Sequence, residues 1–129
     1  MLRHDVFLDA VAFFHFSPCI DLFANADHHQ LVHWCGPGSP IAEDSLLLDW
    51  YGLAAWINPP WPLIGAAISK IANTKMRALM VVPWWPHADW FPMFLDVFVA
   101  YRKYNGNLFL DNAGLLRPRP SWDIGIAVL

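Results

Sequence analysis

Pro59 and Pro60 stand directly behind the apolar run Ala54–Ile57, in the stretch AAWINPPWPLI, and they limit what this part of the chain can become. Proline has no N–H to give to a sheet ladder and locks its own φ, so a strand arriving at Trp56 and Ile57 must end at Asn58. The corner that follows carries a carboxamide, a stiff backbone carbonyl and a bare indole, Trp61. Pro62 or Leu63 then opens a helix running to about Asn73, because an early helical turn has unpaired donors and tolerates proline.

The same logic of runs and breakers organises the rest. Asp5 to Phe16 reads as a helix whose broad apolar face includes Val6, Phe7, Ala10, Val11, Phe13 and Phe14, closed by Ser17-Pro18. CIDLFA (19–24) is a strand candidate ending in the polar turn NADHHQ, and LVHW (31–34) is a second short one. CGPGSPIAEDS is loop-like. RALMVVP (77–83), a continuous apolar run after a basic turn, suits an interior parallel strand. HADWFPMFLDVFVAYRKY predicts a helix from about Ala88, NGNLFLD a turn and a strand, and Asp123–Leu129 a last strand. Strands alternating with helices imply a mostly parallel α/β sheet with helices on both faces. A last strand reached without a helix must run antiparallel, as an insert or an edge. In open sheets of this kind, ligands bind beyond the carboxyl ends of the strands. DLFAN, NPPW and PWWPHADW would all lie on that rim.

A length of 129 residues fits one domain, residues 1–129, with a substantial core. The net charge of −3 excludes a strongly basic nucleic-acid clamp, though not a local patch. Hydrophobic residues make up 57% of the chain, yet no apolar run approaches the ~20 residues of a membrane span, so the excess points to a dense core and to surface that a partner or a second copy covers. Arg3, His4, Asp5 and Asp9 interrupt any signal-peptide pattern, and two cysteines make no disulfide framework. The expectation is an intracellular protein, nuclear or cytoplasmic.

The NPPW corner has a definite chemistry. Asn58 offers one acceptor and two donors, Pro59 a rigidly held acceptor, and Trp61 a flat face. Together they suit a planar ring bearing an exocyclic amine, with the indole on the ring and two oxygens taking the amine hydrogens. Such an amine is a poor nucleophile, so positioning and electrostatics must supply most of the help.

NPPW resembles the [DNS]-P-P-[YFW] motif of amino-directed DNA methyltransferases, which methylate adenine N6 or cytosine N4 with S-adenosylmethionine. DLFANAD (21–27) is similar to their cofactor motif. The string from VFLDAVAFFHFSPCIDLFANADHH through LDWYGLAAWINPPWPLI to VVPWWPHADWF resembles the phage-type Dam family and the related methyltransferase-like domain of DIRS-type tyrosine-recombinase retroelements, over nearly the whole chain. The resemblance implies a compact Rossmann-like methyltransferase fold, mostly parallel with an antiparallel C-terminal strand. It places Asn58, Pro59, Pro60 and Trp61 at the target amine and Asp21, Leu22, Phe23 and Ala24 at S-adenosylmethionine, with Asp49 as a further candidate for the cofactor's adenine or ribose. The turn after DLFA holds no glycine, where such enzymes bring backbone close to the cofactor. A non-catalytic domain of the same fold, serving assembly or nucleic-acid binding, is the alternative.

Trp84 and Trp85 follow a strand end and are candidates for stacking on nucleic-acid bases; Arg117 and Arg119 are the paired cations for phosphates. That basic inventory is thin for duplex DNA, so the DNA would be single-stranded or presented by a partner. His28, His29, His33 and Cys35 match no standard zinc spacing, and no metal is expected.

Overall fold

The computed structural model describes all residues from Met1 to Leu129. The elements run α1 (His4–Phe14), β1 (Ile20–Asp21), a 3-10 turn at Ser45–Leu47, β2 (Ala54–Ile57), a 3-10 turn at Trp61–Leu63, α2 (Ile64–Ala72), β3 (Arg77–Pro83), α3 (Phe91–Val97), β4 (Ala100–Tyr104) and β5 (Ile124–Val128). The strands form one five-stranded mixed sheet in the order β1-β2-β3-β5-β4. β1, β2 and β3 are mutually parallel, whereas β5 pairs antiparallel with both β3 and β4. The reversed C-terminal strand is therefore an insert, and β4 forms the edge.

Period-2 alternation sends each strand's side chains into two cores. Ala55, Ile57, Ala78, Met80, Val82 and Ala127 pack with Ile64, Ala67, Ile68 and Ile71 of α2 and with Phe91 and Phe94 of α3. Trp56, Leu79, Val81, Ile124 and Ile126 pack on the other side against Val6, Phe7 and Ala10 of α1. Trp56 is wholly buried and meets the Phe7 ring edge-on at 4.7 Å. The connection from β1 to β2 has no α-helix. It is held to the α2 face by the buried Trp50, whose Nε1 donates to Ser45 O at 2.8 Å. No helix is long and apolar enough to cross a membrane.

Three expectations need correction. The helix expected from Ala88 begins at Phe91 and stops at Val97, and the AYRKY stretch is β4, because pairing with β5 from Ala100 to Tyr104 outweighs a local pattern compatible with helix. LVHW forms only a single bridge, Asp21 to Trp34, although backbone bonds from Asp21 N to His33 O (2.9 Å) and from Cys35 N to Asp21 O (2.8 Å) continue the contact. NGNLFLD is outside the main sheet. Phe109 bridges Leu2, and Leu110 bridges Leu116, so this chain folds back as a small excursion between β4 and β5.

Candidate functional site

β1, β2 and β3 all point their carboxyl ends to one rim, and a cleft of about 1110 Å³ opens there. One wall is the turn after β1, from Asp21 to Asn25. A second is the NPPW corner after β2, Asn58 to Trp61. The 43–46 loop and the long 105–123 connection close the remaining sides, the latter through Phe109, Arg117 and Trp122. Two stretches far apart in sequence, DLFA and NPPW, thus face one hollow because their strands are adjacent and parallel.

The NPPW corner folds as the proline pair dictates. β2 ends at Ile57, Pro60 is extended (φ −52°, ψ 142°), and a single 3-10 turn through Pro62 leads into α2. Leu63 N closes that turn on Pro60 O at 2.9 Å. Trp61 is half-buried among aromatic groups, 6.2 Å from the Trp85 ring and 5.9 Å from that of Phe109. Asn58 is half-buried in the cleft wall. The only fully buried side-chain polar atom without a partner is Ser45 Oγ, so the Asn58 carboxamide is not sealed inside the protein.

Asp21 forms the acidic floor. It is 3% exposed, accepts from Gln30 N at 2.9 Å and more loosely from Phe23 N at 3.4 Å, and has no cationic partner within ion-pair distance. Burial pushes its pKa up to about 6, and these two backbone donors and the nearby His29 offset only part of the effect. A buried carboxyl with a raised pKa at the base of a cleft is a candidate for a functional group. Gln30 fixes the surrounding loop to α1: its side chain donates to Leu2 O at 2.7 Å and lies 2.7 Å from His4 Nδ1.

The turn after Asp21 holds no glycine of its own but packs against one from the next loop. Gly36, at φ +151°, lies against Ala24 so closely that a Cβ there would overlap the Ala24 carbonyl oxygen. Ala24 N bonds Cys35 O at 2.8 Å beside it. The Asp21 wall of the cleft is thus two strand-end segments packed backbone to backbone, which requires glycine on one of them.

Most of the sequence candidates meet in this cleft: Asp21, Leu22, Phe23 and Ala24; Asn58, Pro59, Pro60 and Trp61; and Trp85 and Arg117. Three do not. Trp84 turns to the opposite side, onto Phe91 (5.0 Å) and Tyr101 (4.6 Å), with Lys103 Nζ 4.5 Å from its ring, because successive residues at a strand end leave on opposite faces. Asp49 is exposed and only caps the turn at Tyr51 N, 2.9 Å away. Arg119 is exposed and outside the cleft lining. The residues that sequence reasoning missed are Gly36, Asp44, Ser45, Phe109 and Trp122. Only Gly36 carried a signal, in the Gly/Pro-rich CGPG loop.

No protein-family model matches the chain, and a search of curated proteins finds no significant match.

Proposed function

We propose that this chain is an S-adenosylmethionine-dependent methyltransferase acting on the exocyclic amine of a DNA base, adenine N6 first, built on a minimal Rossmann-like methyltransferase fold. The observation that carries this reading is the convergence of DLFA and NPPW on one cleft beyond parallel strand ends. The reversed last strand inserted beside the edge agrees with the fold that the sequence resemblance implies.

The residues present fit a cationic, nucleoside-bearing cofactor. Asp21 is a buried acid without a cation, suited to an ammonium or sulfonium charge. Asp44 lines the same cleft at an exposed position, so it replaces Asp49 as the candidate for the ribose. When bound, S-adenosylmethionine supplies an electrophilic methyl group. The chain's own work is done by Asn58 and Pro59, whose oxygens hold the two amine hydrogens and aim the nitrogen lone pair. Trp61 presents a flat apolar surface to the base and excludes water from one side. Asp21 in its ionised state balances the cofactor's positive charge.

Titration calorimetry with S-adenosylhomocysteine and transfer of a labelled methyl group to adenine-containing DNA test the proposal. Asn58→Ala is expected to lower kcat by about 10²–10³-fold, the usual effect of losing one preorganised polar group, while the heat of cofactor binding persists. Absence of both heat and transfer in the unmodified protein would overturn the reading.

A further inference from the structure

The side of the cleft away from Asp21 is aromatic. Trp61 meets Trp85 at 6.2 Å, and Trp85 meets Trp122 at 5.2 Å, both edge to face, so the three indoles form a continuous path from the NPPW corner outward. Trp122 ends this path and is 38% exposed. Arg117 lines the same side, exposed and outside both ion pairs of the protein, which join Arg3 to Asp5 and Arg102 to Asp9. The segment carrying Arg117 and Trp122 is held on both sides: Arg117 N donates to Phe109 O at 2.8 Å, Asp111 Oδ1 accepts from Ala113 N and Leu115 N, and Trp84 N donates to Asp123 O at 2.8 Å. A connection of this length between neighbouring strands is uncommon in a small protein and belongs either to functional loops or to linkers.

We infer that Trp122 and Arg117 form a second nucleotide subsite, holding the base and phosphate next to the target on an unpaired nucleic-acid strand. The inference rests on the proposed function for the identity of the target base but not for the binding itself. Its chemistry is that of single-strand binding, where aromatic faces accept any base and a cation follows the backbone. Duplex recognition is disfavoured by the charges: the other lysines and arginines do not line the cleft, and Lys70 is tied to Leu46 O at 2.6 Å. A duplex grip needs several phosphate cations, and extruding a base needs a further element to pry the stack apart. An already unpaired base needs no extrusion, and a short single strand presents fewer phosphates to neutralise.

Fluorescence anisotropy with a labelled eight-nucleotide DNA, its RNA counterpart and the blunt DNA duplex tests this in the full chain. The single strand is expected to bind at least about tenfold more tightly than the duplex. Trp122→Ala should weaken it about tenfold, with Trp122→Phe restoring most of the loss because a flat ring remains. Arg117→Gln should reduce the slope of log affinity against log salt by about 0.7, the loss of one phosphate contact on a single strand. Preference for RNA would support the subsite and move the substrate from DNA to RNA. Duplex binding as tight as single-strand binding, or Trp122→Ala and Arg117→Gln both without effect in proteins with unchanged circular dichroism, would overturn the inference. Separately, if the unmodified protein gives no heat with S-adenosylhomocysteine while the oligonucleotide results stand, the methyltransferase reading falls alone.

Discussion

Trp84 and Trp85 leave the same strand end and meet opposite fates. Trp85 turns into the cleft, between Trp61 and Trp122. Trp84 lies over Gly125 of β5, where a Cβ would come within 2.8 Å of its ring, and packs on Phe91, Phe94 and Tyr101. The sheet divides in the same way. Beyond the ends of β1 and β2 the loops leave room for a ligand; on the α3 face of β3, β5 and β4 the space is filled, with the indole seated where a glycine leaves room. Residue type does not decide whether an aromatic group is available to a ligand. What decides it is the side on which the backbone releases the group and what stands opposite.

The sharpest way to break the cleft half is Gly36→Ala. The new methyl group would overlap the Ala24 carbonyl oxygen, at a φ that L-residues rarely adopt, so backbone must move and the Ala24–Cys35 hydrogen bond is strained or lost. A stability loss of about 4 kcal/mol or more is expected in urea titration, together with loss of cofactor binding. Gly38→Ala is the control. Gly38 also has positive φ, +82°, but its Cβ position is open, and the cost there should be near 1 kcal/mol. Equal losses at the two positions would mean that the Gly36–Ala24 contact does not hold the wall.

Trp84→Ala breaks the filled half. Truncating an indole packed on Phe91, Phe94 and Tyr101 should cost about 3 kcal/mol, lowering Tm by roughly 10 °C. Below that Tm, binding of S-adenosylhomocysteine and of oligonucleotide should match the unmodified protein. A selective loss of oligonucleotide affinity would return Trp84 to the nucleic-acid surface and erase the contrast with Trp85.

The sequence made some of this division legible and concealed the rest for physical reasons. β3 announced itself as a continuous apolar run because both of its faces are buried, and the end of β2 was fixed by Pro59. DLFA and NPPW were legible as a site because each combines a strand end with groups of distinct chemistry. β4 was not legible, since Phe98 to Tyr104 has no local signal that outweighs helical spacing, and its register partners lie 20 to 28 residues further on. Gly36 and Trp122 reach the cleft through long-range folding of loops, which no periodicity records. Asp49 and Asp44 illustrate the same point: two acids of one loop, of which only Asp44 lines the cleft.

The smallest effect concerns Asp21, the buried acid of the cleft. Its folded pKa is raised from 3.8 to about 6, so the folded protein holds a proton there that the unfolded chain releases. Stability should therefore be highest at the acid end of this window, fall as pH rises from about 4 to 6, and stay at the reduced level above. Asp21→Asn removes this dependence and should raise stability at pH 7 by on the order of 1–2 kcal/mol, less than the full linkage because a carboxamide cannot accept from both Gln30 N and Phe23 N. The same linkage reverses for a cationic ligand. Below pH 6 such a ligand must displace the proton before pairing with the carboxylate, so affinity for S-adenosylhomocysteine, whose amine is protonated in this range, should climb toward tenfold per pH unit and level off above about pH 6. Stability that falls with pH while affinity rises with pH would mark Asp21 as a charge kept at a cost for binding. Affinity independent of pH, with the stability trend intact, would leave Asp21 a buried acid of the fold and remove it from the site.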